Sequence, residues 1–475
     1  MRRGHFSLDD LPTWATLNGV YFNNVQVANI DGRGNGLITT NELASQEDDL
    51  EPIILLKVPR ELVLSPERVE EYAKENKSFR QLLDTAGHKS ARGDILLFLL
   101  YQLVLSSPDY QGGLGPSTSW TQYFNLLPSH VPSPTTWTES EWSHLRGTSL
   151  ESALAAKLKA LTKEFDDIQN LANLFWRDIL SFDESVTIQD WILLDALFRS
   201  RSLALPNSGE SMVPCIDLVN HSSRANAFYE ETSEGEVVLY LRKGCVLPAG
   251  SEITIDYGQE RSPAEILFNY GFIDSDSHAT SMTLLLKPLE DDPLALAKFR
   301  IFREYPKLRL EVGEDGVPRW TGPFVYLMCL NEEDGLEFRV LQMTDRSQHL
   351  ALLWQGVDIT DAPSTLKDII RDHELYQVFE LRALVVVLDI VEKQLDKLLS
   401  TQNGDSSPDL VTGEVYHATS RLRSLETDIL RKCVQTFNEQ KAKLLQDDTV
   451  VEYLTMGFDQ NNPSAEGAGN DEDFS

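Results

Sequence analysis

The chain has 475 residues, of which 41% are hydrophobic and 24% charged, so two or three domains of ordinary globular composition are expected. Its 42 basic and 74 acidic residues give a net charge of -32. That argues against a nucleic-acid partner, which needs a basic face against phosphates, and fits basic protein partners such as lysine-rich tails.

The four cysteines, Cys215, Cys245, Cys329 and Cys433, are scattered, with no C-x-x-C pair. Neither a zinc site nor a disulfide framework is expected, and a reducing compartment is the simpler setting. The segment Met1 to Ser7 lacks the apolar core of a signal peptide, and the longest apolar run, Ile95 to Leu105, is too short to span a bilayer. The expectation is a cytoplasmic and/or nuclear monomer with no membrane partner and no metal.

Residues 11–60 read as short strands and turns, with brief β-like runs at Val20 to Phe22 and Val25 to Val27 and a strand over Ile53 to Pro59. Between them lies Asp31-Gly-Arg-Gly-Asn-Gly-Leu-Ile38. Glycines at 32, 34 and 36 allow positive φ and close approach of a ligand to the backbone. The loop reads as a tight turn, as a calcium loop or as a cofactor cradle. The calcium reading has Asp31, Asn35, Gly36, Ile38 and Glu42 on EF-hand positions, but Arg33 occupies a ligand position and no long helix precedes it.

From Pro66 to about Asp183 the pattern is helical, with a buried helix at Ile95 to Leu105 and apolar residues at helical spacing from Glu151 to Leu180. Trp120, Trp137, Trp142 and Trp176 are expected in its core. Trp191 to Leu203 is a further amphipathic helix, ending in Ser200-Arg201. Phe228 to Leu241 reads as a hairpin turning at Glu234-Gly235. From about Pro288 amphipathic helices are expected at Leu294 to Phe302, Pro323 to Leu330, Leu366 to Leu399 and Ser420 to Leu445, then a polar acidic tail.

Two stretches stand apart. In Met212-Val-Pro-Cys-Ile-Asp-Leu-Val-Asn-His-Ser222, the polar Asp217, Asn220 and His221 follow an apolar run, so each needs a partner at the edge of a core. Glu252-Ile-Thr-Ile-Asp-Tyr-Gly258 alternates like a half-buried strand and stops at Tyr-Gly. A short helical segment from Pro263 leads to a second pair, Tyr270-Gly271, and Phe272. Two tyrosines so placed can line one narrow aromatic slot.

In order along the chain, Gly34-Asn-Gly-Leu37, Ser200-Arg201, Asp217-x-x-Asn220-His221-Ser222, Tyr257-Gly258 and Tyr270-Gly271-Phe272 resemble the motifs of SET-domain protein methyltransferases. The resemblance is to the branch of the Rubisco large-subunit lysine methyltransferase and its fungal and animal relatives. It implies an α+β fold: a β-rich SET domain over residues 1–285 with a helical insert at about 95–185. An all-α domain for substrate docking would follow at 286–455, then a disordered acidic tail at 456–475. It implies S-adenosyl-L-methionine as cofactor and a protein substrate with a target lysine, on a non-histone or ribosomal-type protein. Tyr257 would be catalytic. Gly34, Asn35, Gly36, Arg201, Asn220, His221, Tyr257 and Tyr270 would contact the cofactor, and Ser200, Asp217, Tyr270 and Phe272 the substrate side chain.

The chemistry suits these residue types. Methyl transfer from a sulfonium needs alignment and exclusion of water rather than a metal. A lysine nucleophile must be neutral, and with an ordinary pKa of about 10.4 roughly one in a few thousand is neutral at pH 7. A dry aromatic channel disfavours the charged form, and ring faces tolerate the cationic product. Methylation of a histidine side chain and a catalytically silent SET-fold binding module remain as alternatives.

Overall fold

The computed structural model describes residues 4–48, 50–108, 117–175, 186–258, 261–274, 281–289, 292–302, 305–342, 348–401 and 413–460. The described chain divides into two compact units. The first comprises Met1–Ser143, Ser152–Ser277 and Val411–Ala418, and the second His144–Glu151, His278–Leu410 and Thr419–Ser475.

The first unit carries twelve short strands: β1 (Tyr21–Phe22), β2 (Val25–Ile30), β3 (Gly34–Thr39), β4 (Leu43–Ala44), β5 (Ile54–Val58), β6 (Ser202–Leu205), β7 (Gly209–Met212), β8 (Asn220–His221), β9 (Ala227–Glu231), β10 (Val237–Leu241), β11 (Val246–Leu247) and β12 (Glu252–Ile255). They form four small sheets, ordered β1-β5-β10-β9, β2-β3-β12-β8, β11-β4 and β6-β7. The expected hairpin is β9–β10, antiparallel, with Ala227 opposite Leu241.

The second sheet positions the site. β12 lies between β3, which it meets antiparallel with Ile253 opposite Leu37, and β8, which it meets parallel with Thr254 opposite Asn220. Thr254 is buried alongside Ile253 and Ile255, so both faces of β12 are covered. The half-buried strand read from the alternation is thereby corrected.

Helices occupy Pro66–Glu75, Lys77–Ala86, Ala91–Ser106, Ser119–Phe124, Glu139–Ser143 and Ser149–Phe175. In the third of these, every residue from Ile95 to Val104 is buried. Trp120 and Trp137 are core residues as expected. Trp142 is half-buried and donates its indole N–H to the Pro134 carbonyl at 2.7 Å. Trp176 lies outside the described residues.

The Ile188–Arg201 helix starts on a Thr187–Asp190 capping box. It ends two residues earlier than the periodicity suggested, because Ser202 and Leu203 open β6. Its fully buried Asp195 carboxylate meets Arg92, Lys157 and Arg199. Arg199 also donates to the Phe268 carbonyl at 2.6 Å and to Thr135 Oγ1 at 2.7 Å. Those bonds hold the end of the Pro263–Tyr270 helix against this one.

The second unit corrects the all-α expectation. It contains the sheets β13 (Ser281–Leu285), β14 (Lys307–Val312), β15 (Pro318–Thr321) and β16 (Leu336–Gln342), β17 (Gln348–Trp354), β18 (Val357–Asp358). The period-two signal was present: in β14, Leu308 and Leu310 are buried while Lys307 and Glu311 are not. Runs of four to seven residues are too short for that signal to outweigh the helical segments around them. The helices Ala295–Phe302, Pro323–Cys329 and Gly413–Leu444 stand where helices were expected, whereas the one helix expected from Leu366 to Leu399 is broken into Leu366–Ile369, a 3-10 turn at Ile370–Asp372 and Tyr376–Ser400. The last helix, Asp448–Gln460, runs into the start of the expected tail, and the rest of that tail lies outside the described residues.

Candidate active site

Three loops and strand ends of the first unit converge here. The Val213–Val219 segment turns sharply at Cys215, whose φ is 70°. This reversal buries Asp217 behind the strand that follows. Two groups hold its carboxylate. Arg201, in the last turn of its helix, donates Nη1 to Oδ2 at 3.1 Å and to the Asp217 carbonyl at 3.0 Å. Tyr123, from the helical insert, donates its hydroxyl to Oδ1 and accepts the Cys215 N–H at 3.0 Å. Burial pushes the Asp217 carboxyl up, and the Arg201 guanidinium opposes that. Arg201 therefore does more than offset the helix dipole. Its Nε is buried and has no hydrogen-bond partner among the described residues.

Tyr257 stands two residues beyond the end of β12. Its hydroxyl donates to the Val219 carbonyl at 2.8 Å, and its N–H donates to His221 Nδ1 at 3.1 Å. Burial, with Tyr270 beside it, pushes the Tyr257 phenol well above its ordinary range. It stays protonated at neutral pH and serves as a hydrogen-bond donor, not as a base. The ring lies 4.4 Å from Tyr270, centroid to centroid, and 5.2 Å from His221. Phe272 completes the group at 6.2 Å from His221 and 6.3 Å from Tyr270. Burial lowers the His221 imidazole, so it favours the neutral form that accepts from the Tyr257 N–H.

Gly271 explains the second Tyr-Gly pair. It caps the Pro263–Tyr270 helix in the left-handed region at φ 84°, and a Cβ there would fall 2.3 Å from the Pro132 carbonyl oxygen. No side chain fits, so Tyr270 is fixed where the helix stops.

A cavity of about 260 Å³ opens beside these residues. Of the expected site residues, Ser200, Arg201, Asp217, Tyr257 and Tyr270 line it. Gly34, Asn35, Gly36, Asn220, His221 and Phe272 do not. Phe272 joins it through the rings just described. The others form a second cluster, reached through His221. Gly34, Asn35 and Gly36 are the first residues of β3, paired with Ile30, Asn29 and Ala28 of β2. This hairpin replaces the calcium-loop reading. A Cβ on Gly36 would sit 2.4 Å from Ile30 Cδ1 and 2.8 Å from Asn220 Nδ2. Gly36 thus lets the hairpin close onto Asn220. Asn35 points elsewhere, accepting from the Asn29 amide at 3.3 Å.

Four participants escaped the sequence reading. Tyr229, from β9, and Arg261 line the cavity, and the Arg261 guanidinium lies 5.7 Å over the Tyr270 ring. Tyr123 carried the signal of a core aromatic only. Glu252 was legible as a strand start, not as the partner of Asn220, whose amide donates to it at 2.9 Å.

No family model matches the chain. SET domain-containing protein 8 of Schizosaccharomyces pombe is 28% identical over 444 residues, covering 90% of this chain and 94% of that protein. The Rubisco large-subunit N-methyltransferase of Nicotiana tabacum is 26% identical over 249 residues, 50% of this chain and 50% of that enzyme. The actin-histidine N-methyltransferase of Gallus gallus is 24% identical over 343 residues, 68% of this chain and 53% of that enzyme. The chain thus spans about half the length of these two enzymes. Among solved structures, the SET domain of LSMT bound to lysine and AdoHcy superposes with a TM-score of 0.65 at 18% identity, covering 97% of this chain and 96% of that one. Rubisco LSMT bound to AdoMet gives 0.63 at 18% identity, covering 95% and 96%. The chain thus has the fold of the SET-domain methyltransferases, and the proteins it resembles include Rubisco large-subunit enzymes.

Proposed function

We propose that this protein transfers a methyl group from S-adenosyl-L-methionine to a lysine side chain of a protein substrate. The observation that carries the reading is the joining of Tyr257, Tyr270 and Tyr229 with Ser200, Arg201 and Asp217 around one cavity.

Two features fit the cofactor. Gly36, with no Cβ, lets the glycine hairpin pack closely onto Asn220 and bring its backbone to that edge of the site. Arg201 Nε is a buried donor without a partner among the described residues, suited to a carboxylate such as that of the methionyl moiety. Gly34, Gly36, Arg201, Asn220 and His221 would hold the group. When bound, it supplies an electrophilic methyl on a sulfonium sulfur. The chain's own residues supply the rest. Tyr257, Tyr270 and Tyr229 exclude water and flank the alkyl stem of the incoming side chain. Their low-dielectric surroundings favour the neutral amine. The tied-down Tyr257 hydroxyl fixes the Val219 carbonyl at the edge of the cavity, as an acceptor for weak C–H contacts from a polarised methyl.

Lysine is favoured over histidine by the state of Asp217. An imidazole nucleophile needs an acceptor to fix its tautomer. Asp217 in the cavity wall is already committed to Arg201 and Tyr123, and the Asp256 carboxylate that also lines it accepts from the Gly258 N–H at 2.8 Å. Histidine is the second reading, supported by the actin-histidine relative. The four cysteines are free thiols, in keeping with the reducing cytoplasm or nucleus proposed as its location.

The test uses purified protein, labelled cofactor and a lysate, followed by identification of the modified residue. Methyl-lysine on a protein supports the reading, and methyl-histidine replaces it with the second. Absence of both label transfer and a heat of cofactor binding leaves the silent binding module.

A further inference from the structure

Arg33 is a surface residue of the β2–β3 turn, yet its guanidinium reaches across to two other strands. Nη1 pairs with Glu252 Oε2 at 2.5 Å. Nη2 donates to the main-chain carbonyl of His221. The other oxygen of the same carboxylate, Oε1, accepts from Asn220 Nδ2 at 2.9 Å. Glu252 is mostly shielded, with 19% of its side chain exposed against 39% for Arg33. One ion pair therefore fastens the glycine hairpin, the start of β12 and both residues of β8 to one another.

β8 needs such support. It is two residues long and among the described residues pairs only with Thr254 and Ile255, and so short a strand has little ladder of its own. The bond to Glu252 also settles which way the Asn220 amide faces. Nδ2 turns to the carboxylate, and the amide oxygen accepts no hydrogen bond among the described residues. An amide carries two N–H donors and an acceptor oxygen, so with Nδ2 held between Glu252 and Gly36, Asn220 keeps its oxygen and one N–H uncommitted among the described residues.

We infer that Arg33 and Glu252 form a positioning pair that orients Asn220 and seats β8 against the glycine hairpin, and so sets affinity for the cofactor rather than the rate of methyl transfer. This rests on the assignment of the Gly36–Asn220 edge to the cofactor.

Calorimetric titration of the full chain with S-adenosylmethionine and with S-adenosylhomocysteine tests it, using Arg33→Ala, Glu252→Gln, the double variant and Arg33→Lys. Each of the first two is expected to weaken both ligands about tenfold, the loss of one charge-assisted hydrogen bond. The double variant is expected to lose little more than either single one, since both break the same bridge. Arg33→Lys keeps the pair with Glu252 but cannot fork to the His221 carbonyl as well, so it recovers part of the loss. In a transfer assay the KM for cofactor rises while kcat changes less than about twofold. Unchanged binding in the single variants, additive losses in the double, or a fall in kcat at unchanged KM overturns the inference. Wild-type protein that binds neither ligand overturns the cofactor assignment itself.

Discussion

The Tyr257 hydroxyl and the Val219 carbonyl meet at 2.8 Å. This contact joins the two polar stretches: Val219 directly precedes Asn220, and Tyr257 lies two residues beyond the strand that runs parallel to Asn220 and His221. Removing it separates alignment from binding. In Tyr257→Phe the ring stays and the hydroxyl goes. Methyl transfer is expected to fall on the order of 100-fold, the size of one preorganised polar group, or to change its product. Cofactor binding persists. Transfer assays and calorimetry on one preparation check both halves, and full activity with unchanged product removes Tyr257 from its role.

Gly36→Ala places a methyl against Ile30 and Asn220. The hairpin must move away from Asn220, and cofactor affinity is expected to drop about tenfold or more. Gly32→Ala is the control. Its φ is 69° with open space around it, so it costs about 1 kcal/mol of backbone strain without reaching Asn220. Calorimetric binding separates the two variants: Gly36→Ala loses affinity, and Gly32→Ala keeps it despite its own loss in thermal unfolding.

Asp217→Asn keeps the shape and removes the charge that faces Arg201. A buried cation left without its anion costs roughly 3 kcal/mol. Urea unfolding is expected to show a loss of that order, and a loss below about 1 kcal/mol means the pair behaves like an exposed one.

In the second unit, the buried Glu426 carboxylate accepts from the Ser149 N–H at 3.1 Å and from the Ser149 hydroxyl. Burial raises its pKa from 4.5 to about 7. A carboxyl whose folded pKa is raised binds its proton more tightly when folded. Its contribution to stability is full below about pH 4.5 and is lost as pH rises through about 7. At about 1.4 kcal/mol per unit, the change amounts to roughly 3 kcal/mol. Unfolding free energies measured from pH 5 to 8 are expected to fall, and Glu426→Gln is expected to flatten that slope. An equal slope in wild type and variant assigns it to other groups.

The residues alone fixed what depends on near neighbours in the chain. Helical periodicity marked Ile95 to Val104 and the Ile188–Arg201 helix, a turn signal marked the β9–β10 hairpin, and the order of polar motifs marked Tyr257, Tyr270, Asn220 and Arg201. Only the folded chain decided partners. Tyr123 reaches Asp217 across 94 positions, and Arg33 reaches Glu252 across 219. It also showed that the glycine hairpin and the tyrosine slot are two clusters joined through His221. The reason is physical. Alternation and helical spacing record which face of an element turns inward, whereas a buried carboxylate takes whichever donor the packing of distant elements delivers.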